Sequence, residues 1–128
     1  MRTVLVTRST SGYAETTRRL IEAIASRGLT VFARIDHAAA ASAAGLELAA
    51  EEVFLFGNPQ AGTPLMQSDP RIGVELPLRM LVWEDADGAL LGYNDPRELA
   101  ARYDVEPHHG TLETMSALLA ALATEAAG

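Results

Sequence analysis

Residues 78–94 constrain the fold more than any other stretch of the chain. Two strand-like runs, 78–84 and 89–94, are joined by Asp85-Ala86-Asp87-Gly88. Short carboxylate side chains and a glycine suit a reversal within a few residues. Strands joined so tightly pair antiparallel, because parallel neighbours need a crossover of about a dozen residues or more. Whatever sheet forms is therefore antiparallel in part.

The other elements arrange themselves around that hairpin. Residues 4–8 alternate and predict a first strand, entered directly from Met1-Arg2-Thr3. After Ser9-Thr10-Ser11-Gly12 comes a helix over about 13–27, with Tyr13, Thr17, Leu20, Ile21 and Ile24 on one face. Gly12 and Glu15 are spaced to cap its start, and Gly28 suits a left-handed exit. Residues 29–36 alternate again, placing Val31, Ala33 and Ile35 on one side and Phe32 and Arg34 on the other. Asp36 is positioned to cap a short alanine-rich helix over 37–44, ending at Gly45. Alanine favours helix but buries little surface, so this helix must pack closely or cover a sheet edge. Val53-Phe54-Leu55-Phe56 is an unbroken apolar run and predicts a strand buried on both faces, stopped by Gly57-Asn58-Pro59.

Residues 60–75 are rich in turn formers, with Gly62-Thr63-Pro64 and Asp69-Pro70 each shaped to start a helical turn. Asp95-Pro96-Arg97-Glu98 spells a capping box for a short helix ending near Tyr103. A last helix over about 111–126 carries Leu112, Met115, Leu119 and Leu122 on one stripe. The order β-α-β-(α)-β-β-β-α predicts an α+β two-layer sandwich: one mainly antiparallel sheet of about five strands, with helices on one face. The first β-α-β, taken alone, fits a parallel crossover. No glycine-rich phosphate loop follows strand one, so a nucleotide-binding α/β fold has no support.

Composition removes whole classes of chemistry. A chain of 128 residues fits a single domain spanning 1–128. It contains no cysteine, which excludes disulfides, thiolate metal sites and cysteine nucleophiles. No apolar run approaches the roughly 20 residues of a membrane span, and the first residues lack a signal-peptide pattern, so the expected location is the cytoplasm. The net charge is −7, with 10 basic residues, all arginine, scattered among 17 acidic ones. Nucleic acid and anionic membranes are not expected as partners, since either needs a basic stripe.

Two strand ends carry the best candidates for chemistry. Asp36-His37 falls where a strand gives way to a helix; His37 there can act as a base or ligand contact tuned by a carboxylate. The plainer reading makes Asp36 a helix cap. Asn58, Gly62 and Thr63 follow a buried strand, where backbone N–H groups and the Asn58 amide can hold a carboxylate or phosphate. Here the plainer reading has Asn58 capping the turn and Gly62 supplying an unusual backbone angle. His108-His109 falls in a loop; no HxxxH or HxH spacing exists, so no metal set is expected. There is no nucleophile elbow. Arg8, Arg34 and Arg79 each fall in a strand and, on a shared open face, would hold an anion or pair across a dimer; the plainer reading, and the preferred one, has them reaching into solvent with no role. Trp83 and Tyr93 sit on the two arms of the hairpin, as cross-strand neighbours if their register agrees.

Taken in order, Ile35-Asp36-His37, Phe56-Gly57-Asn58-Pro59, Gly62-Thr63-Pro64-Leu65-Met66, Leu76-Pro77-Leu78, Trp83-Glu84-Asp85 and Tyr93-Asn94-Asp95-Pro96 resemble the bacterial domain-of-unknown-function family numbered 302. The resemblance implies a small two-layer protein with a curved antiparallel sheet, similar in topology to half of a TATA-binding protein, and association as a homodimer. It brings no activity, no cofactor and no catalytic residue. The leading expectation is a dimeric small-molecule-binding or interaction domain whose cleft is lined by Asp36, His37, Asn58, Gly62, Thr63 and Tyr93. The alternatives are an enzyme using His37 as acid or base, and a metal or haem carrier using histidine with Met66. The cofactor, if any, is left unknown.

Overall fold

The computed structural model describes residues 4–128, so the Met1–Thr3 lead-in to the first strand lies outside the described residues. Five strands form one sheet in the order β1-β5-β4-β3-β2. They are β1 (Val4–Arg8), β2 (Thr30–Asp36), β3 (Glu51–Gly57), β4 (Leu78–Asp85) and β5 (Gly88–Asn94). Every neighbouring pair is antiparallel. The hairpin therefore sits inside the sheet rather than at its margin. The first β-α-β is not a local crossover: β1 and β2 occupy opposite edges, and α1 (Tyr13–Ser26) carries the chain from one to the other beneath the sheet.

One face is covered. Helix α1 and the last helix, α4 (His109–Ala127), pack against each other and under the strands. The expected stripe of α4, Leu112, Met115, Leu119 and Leu122, is buried, as are Thr17, Leu20 and Ile24 of α1. They meet Phe54, Phe56, Leu78, Met80, Val82 and Leu91 from the sheet. Gly28 turns the chain out of α1 at φ +70°, a conformation that other residues resist. The start of α1 differs from expectation. No side chain caps it through Gly12, and Glu15 instead bonds Arg18, 2.6 Å from Nε.

The other face is open, and this corrects the reading of β3. Its burial alternates: Phe54 and Phe56 are buried, whereas Val53 and Leu55 are only half-buried. The apolar run reflects an uncovered hydrophobic face, not burial on both sides. Ladder partners share a face, which places Val4, Val6, Arg8, Ile35, Val53, Leu55, Arg79, Leu81, Trp83 and Leu90 on this open side.

Strand β2 departs from simple alternation. A bulge lies between Val31, which pairs with Phe56, and Ala33, which pairs with Leu55. Val31 therefore lies on the opposite side from Ala33 and Ile35 instead of sharing theirs. Arg34 lies on the helix-covered side, so the three strand arginines do not share a face. Arg34 grips Glu52, and Arg8 pairs with Asp85 at the hairpin turn. Trp83 pairs with Leu90 on the open face, whereas Tyr93 pairs with Leu5 on the covered one. The two aromatics are not cross-strand neighbours.

The stretch after β3 is more helical than its composition suggests. Helix α3 runs Pro59–Ser68 straight through Gly62-Thr63-Pro64, and a 3₁₀ turn follows over Pro70–Glu75. Proline at the first position suits a helix start. Pro64, one turn further on, removes a single intrahelical bond. Gly62 is an ordinary helical residue and has no positive φ, contrary to the expected unusual angle. Helix α2 (His37–Ala43) buries no residue and rests beside β3 at the sheet edge. Another 3₁₀ turn, Pro96–Ala101, replaces the helix expected after Asp95, whose side chain does cap it. His109 opens α4 rather than lying in a loop.

Candidate functional site

Where β3 leaves the sheet, Asn58 turns the chain into α3 by accepting a hydrogen bond at Oδ1 from the Gln60 N–H, 2.9 Å away. This bond satisfies one of the free donors at the helix start. It also fixes the angle at which α3 departs, and the departing helix leaves a cavity of about 570 Å³. Helix α3 supplies one wall with Gly62, Thr63 and Met66, and α4 supplies another with Thr111, Thr114, Met115 and Leu118. Leu76, Pro77 and Leu78, which lead into β4, and Leu29, Phe32 and Leu55 complete the lining.

The lining carries no titratable side chain. Its polar groups are the Asn58 amide and three threonine hydroxyls, of which Thr114 already donates to the Gly110 carbonyl at 2.9 Å. Such a surface can hold an apolar body and orient a hydrogen-bonding group. It offers no acid or base of its own to move a proton.

The structure divides the expected site residues. Asn58, Gly62 and Thr63 line the cavity together. Asp36 and His37 do not. In the β2–β3 ladder, Thr30 faces Gly57 at the cavity end, and Asp36 faces Glu52 at the other. Six residues of strand separate the two ends by roughly 20 Å. Asp36 caps α2 by accepting from the Ala39 N–H at 2.8 Å, and His37 is exposed. Tyr93 is half-buried against the core, outside the cavity lining, and its phenol is pushed up by burial and then by the charge of Asp95. The geometric premise of a His37 acid–base site, a pocket shared with Asn58, is not met. Met66 lines the cavity, and no histidine does.

The cluster near His37 is occupied by internal bonds. Buried Glu52 accepts from the Tyr13 hydroxyl at 2.7 Å and from Arg34 Nε at 2.5 Å. Arg34 holds the Glu52 carboxyl below its usual range, and Tyr13 adds to this. Burial and then Glu52 push the Tyr13 phenol well up. These groups tie the start of α1 to β2 and β3. A shallow cleft beneath α2, lined by Ala38, Ser42 and residues 46–49, contains Glu47 and little else that is polar.

Sequence reasoning missed the α4 wall and the side of the sheet. Thr111, Thr114 and Leu118 recur at helical spacing beside the buried stripe, which is the signal that marks them as one flank of the helix. Alternation along β2 misplaces Phe32, because the bulge between Val31 and Ala33 breaks the alternation at that point. Met66, whose place in the sequence has no evident reason, is accounted for by the cavity: its Sδ lies 3.4 Å from where a Cβ on Gly73 would stand.

Three Brucella proteins named fluoride-specific ion channels match part of this chain: FluC 1 of Brucella suis, FluC 1 of Brucella abortus and FluC 2 of Brucella melitensis. Each is 48% identical over 93 residues, 72% of this chain; the match spans 37% of the first and 34% of the other two. The chain thus spans about a third of the length of these curated relatives. No helix among the described residues is long and apolar enough to cross a membrane. The crystal structure of an uncharacterized conserved DUF302 protein from Bacillus stearothermophilus superposes with a TM-score of 0.86, covering 96% of this chain and 97% of that one at 18% identity. That likeness shows the fold. The family model for the domain of unknown function DUF302 matches residues 5–122, and the chain belongs to that family.

Proposed function

We propose that this protein is a small-molecule-binding module that acts as a homodimer, with the ligand held between α3 and α4 where β3 ends. The observation that carries the reading is the cavity of about 570 Å³, within the size range of small-molecule sites and lined mostly by apolar side chains with a few polar groups. The lack of an acid–base pair in that lining favours binding over catalysis. The dimer rests on the open face of the sheet, where Val6 is 52% and Ile35 45% exposed beside half-buried Trp83 and Leu81. Monomeric proteins seldom leave so continuous an apolar patch in water. The acidic surplus argues against nucleic acid as a partner.

Native mass spectrometry, gentle and then denaturing, tests both parts. The expected result is a dimer mass carrying an adduct that leaves on denaturation. A monomer mass at every concentration removes the dimer. Adduct-free spectra, together with no thermal shift from a library of small molecules, remove the ligand site.

A second reading follows from the Brucella relatives. A pore must cross a membrane, and the described helices of this chain do not. The region shared with those channels is then an appended module, and this chain would serve beside a membrane transport protein. Deleting the shared region from one of those channels and measuring fluoride efflux distinguishes a module that sets transport from an idle appendage.

A further inference from the structure

We propose that the cavity at the end of β3 selects an uncharged, largely apolar molecule with one hydrogen-bonding end, of the kind represented by a medium-chain alcohol. The inference rests on the binding reading above and adds the chemical class of the ligand.

The selection is set by where the polar atoms stand. Leu76, Leu78, Met115 and Leu118 are buried or half-buried and form the deep part of the cavity. Of the polar lining residues, Asn58, Thr63 and Thr114 are exposed and stand at its mouth, and Thr111 is half-buried. A ligand therefore enters with its apolar end first and leaves its polar end among amide and hydroxyl groups. The Asn58 Oδ1 is engaged by Gln60, which leaves the amide N–H groups to donate. Thr114 donates to Gly110, which leaves its oxygen lone pairs to accept. The mouth thus presents both a donor and an acceptor, which is what a neutral hydroxyl or carbonyl compound uses.

A charged ligand finds nothing comparable. No arginine, carboxylate or histidine lines the cavity, so a carboxylate or an ammonium group at the mouth gains no counter-charge for the part of its hydration that it gives up there. The protein as a whole is acidic, which opposes anions further. The two methionines, Met66 and Met115, supply a wall that repacks around irregular apolar shapes. This suits a site that reads polarity and size more than detailed outline.

The test uses the full chain and a neutral fluorescent dye, Nile red, as the reporter of the cavity. Decanol, decanoate and decylammonium compete for it at neutral pH. Decanol is expected to displace the dye about tenfold more effectively than either charged congener, because a partly desolvated charge meets no counter-charge there. Gly62→Leu places a side chain into the cavity from a helical position where a Cβ meets only Leu76 Cδ1 at 3.5 Å and Met66 Cε at 4.0 Å. It is expected to abolish displaceable dye binding with the circular dichroism unchanged. Thr63→Trp, at an exposed position of the mouth, does the same if Gly62→Leu fails to fold. Equal competition by the charged congeners, with binding still lost in the variants, overturns the ligand class and leaves the site standing. Decanol binding that survives in folded variants, or no binding at all, overturns the site and the class together.

Discussion

Gly92 is the residue at which the open face is most tightly constrained. A Cβ there would stand 2.9 Å from Val4 Cγ1 and 3.0 Å from Trp83 Cζ3, so the indole lies across a position only glycine leaves clear. Gly92→Ala is expected to destabilise the protein by about 1–3 kcal/mol through overpacking, and to shift the emission of Trp83, the only tryptophan. Gly110→Ala, which meets nothing within 4 Å, is the control for denaturant unfolding. Glu52 governs the response to acid. Its carboxyl is lowered by Arg34 first and by Tyr13, and only 7% of its side chain is exposed. A lowered folded value means that the unfolded state binds more protons. The stabilisation is therefore complete above the unfolded carboxylate value of about 4 and is lost as pH falls through the lower folded value. Asp69, held down by Arg71 and by the Asp104 backbone N–H, acts in the same direction. The urea midpoint is expected to drop below about pH 4. Glu52→Gln should flatten that drop while costing about 1–3 kcal/mol at neutral pH, because Arg34 loses its charged partner.

At the scale of elements, α3 decides whether there is a cavity. Asn58 caps it, Pro59 opens it, and the Gly62-Thr63-Pro64 stretch that looks like a turn is carried inside it. Asn58→Ala is expected to cost about 1 kcal/mol, and Asn58→Asp close to nothing, because either side-chain oxygen can accept from Gln60. Ligand affinity should fall in the alanine variant beyond what stability explains, since the amide at the mouth is lost as well; thermal unfolding with and without decanol separates the two effects. Strand β2 shows why local patterns mislead. Its alternation is regular in the sequence, yet the bulge at 31–33 sets Val31 and Ala33 on opposite sides and brings Phe32 into the cavity lining. A bulge leaves no dependable mark in composition.

Across the whole molecule, two layers cover only half of the sheet's apolar surface. The helices bury one face, and the other keeps valine, isoleucine, leucine and tryptophan in partial contact with water. If a second copy covers that face, Val6→Glu and Ile35→Glu should convert the dimer to a folded monomer. Sedimentation velocity reads the mass, and circular dichroism checks the fold. Unchanged mass in both variants would place the interface elsewhere. The cavity lies at one end of the sheet and the Tyr13–Glu52–Arg34 cluster near the other, so substitutions at one site are expected to leave the other undisturbed.

The sequence alone determined what depends on near neighbours: the hairpin at 85–88, the Asp36, Asp69 and Asp95 caps, the α4 stripe, and hence an antiparallel two-layer fold. It also carried the family resemblance, which runs through ordered short motifs. Tertiary structure decided what depends on distant neighbours. Which face of an apolar strand is covered depends on where helices far away in the chain dock, so β3 looked buried on both sides. Whether two polar strand ends meet depends on strand direction: β3 runs antiparallel to β2, so Asp36-His37 and Asn58 lie at opposite ends. The cavity belongs to neither strand end alone. It exists because α3 and α4, about 50 residues apart in the chain, both flank the end of the sheet, an arrangement set by packing and not by local propensity.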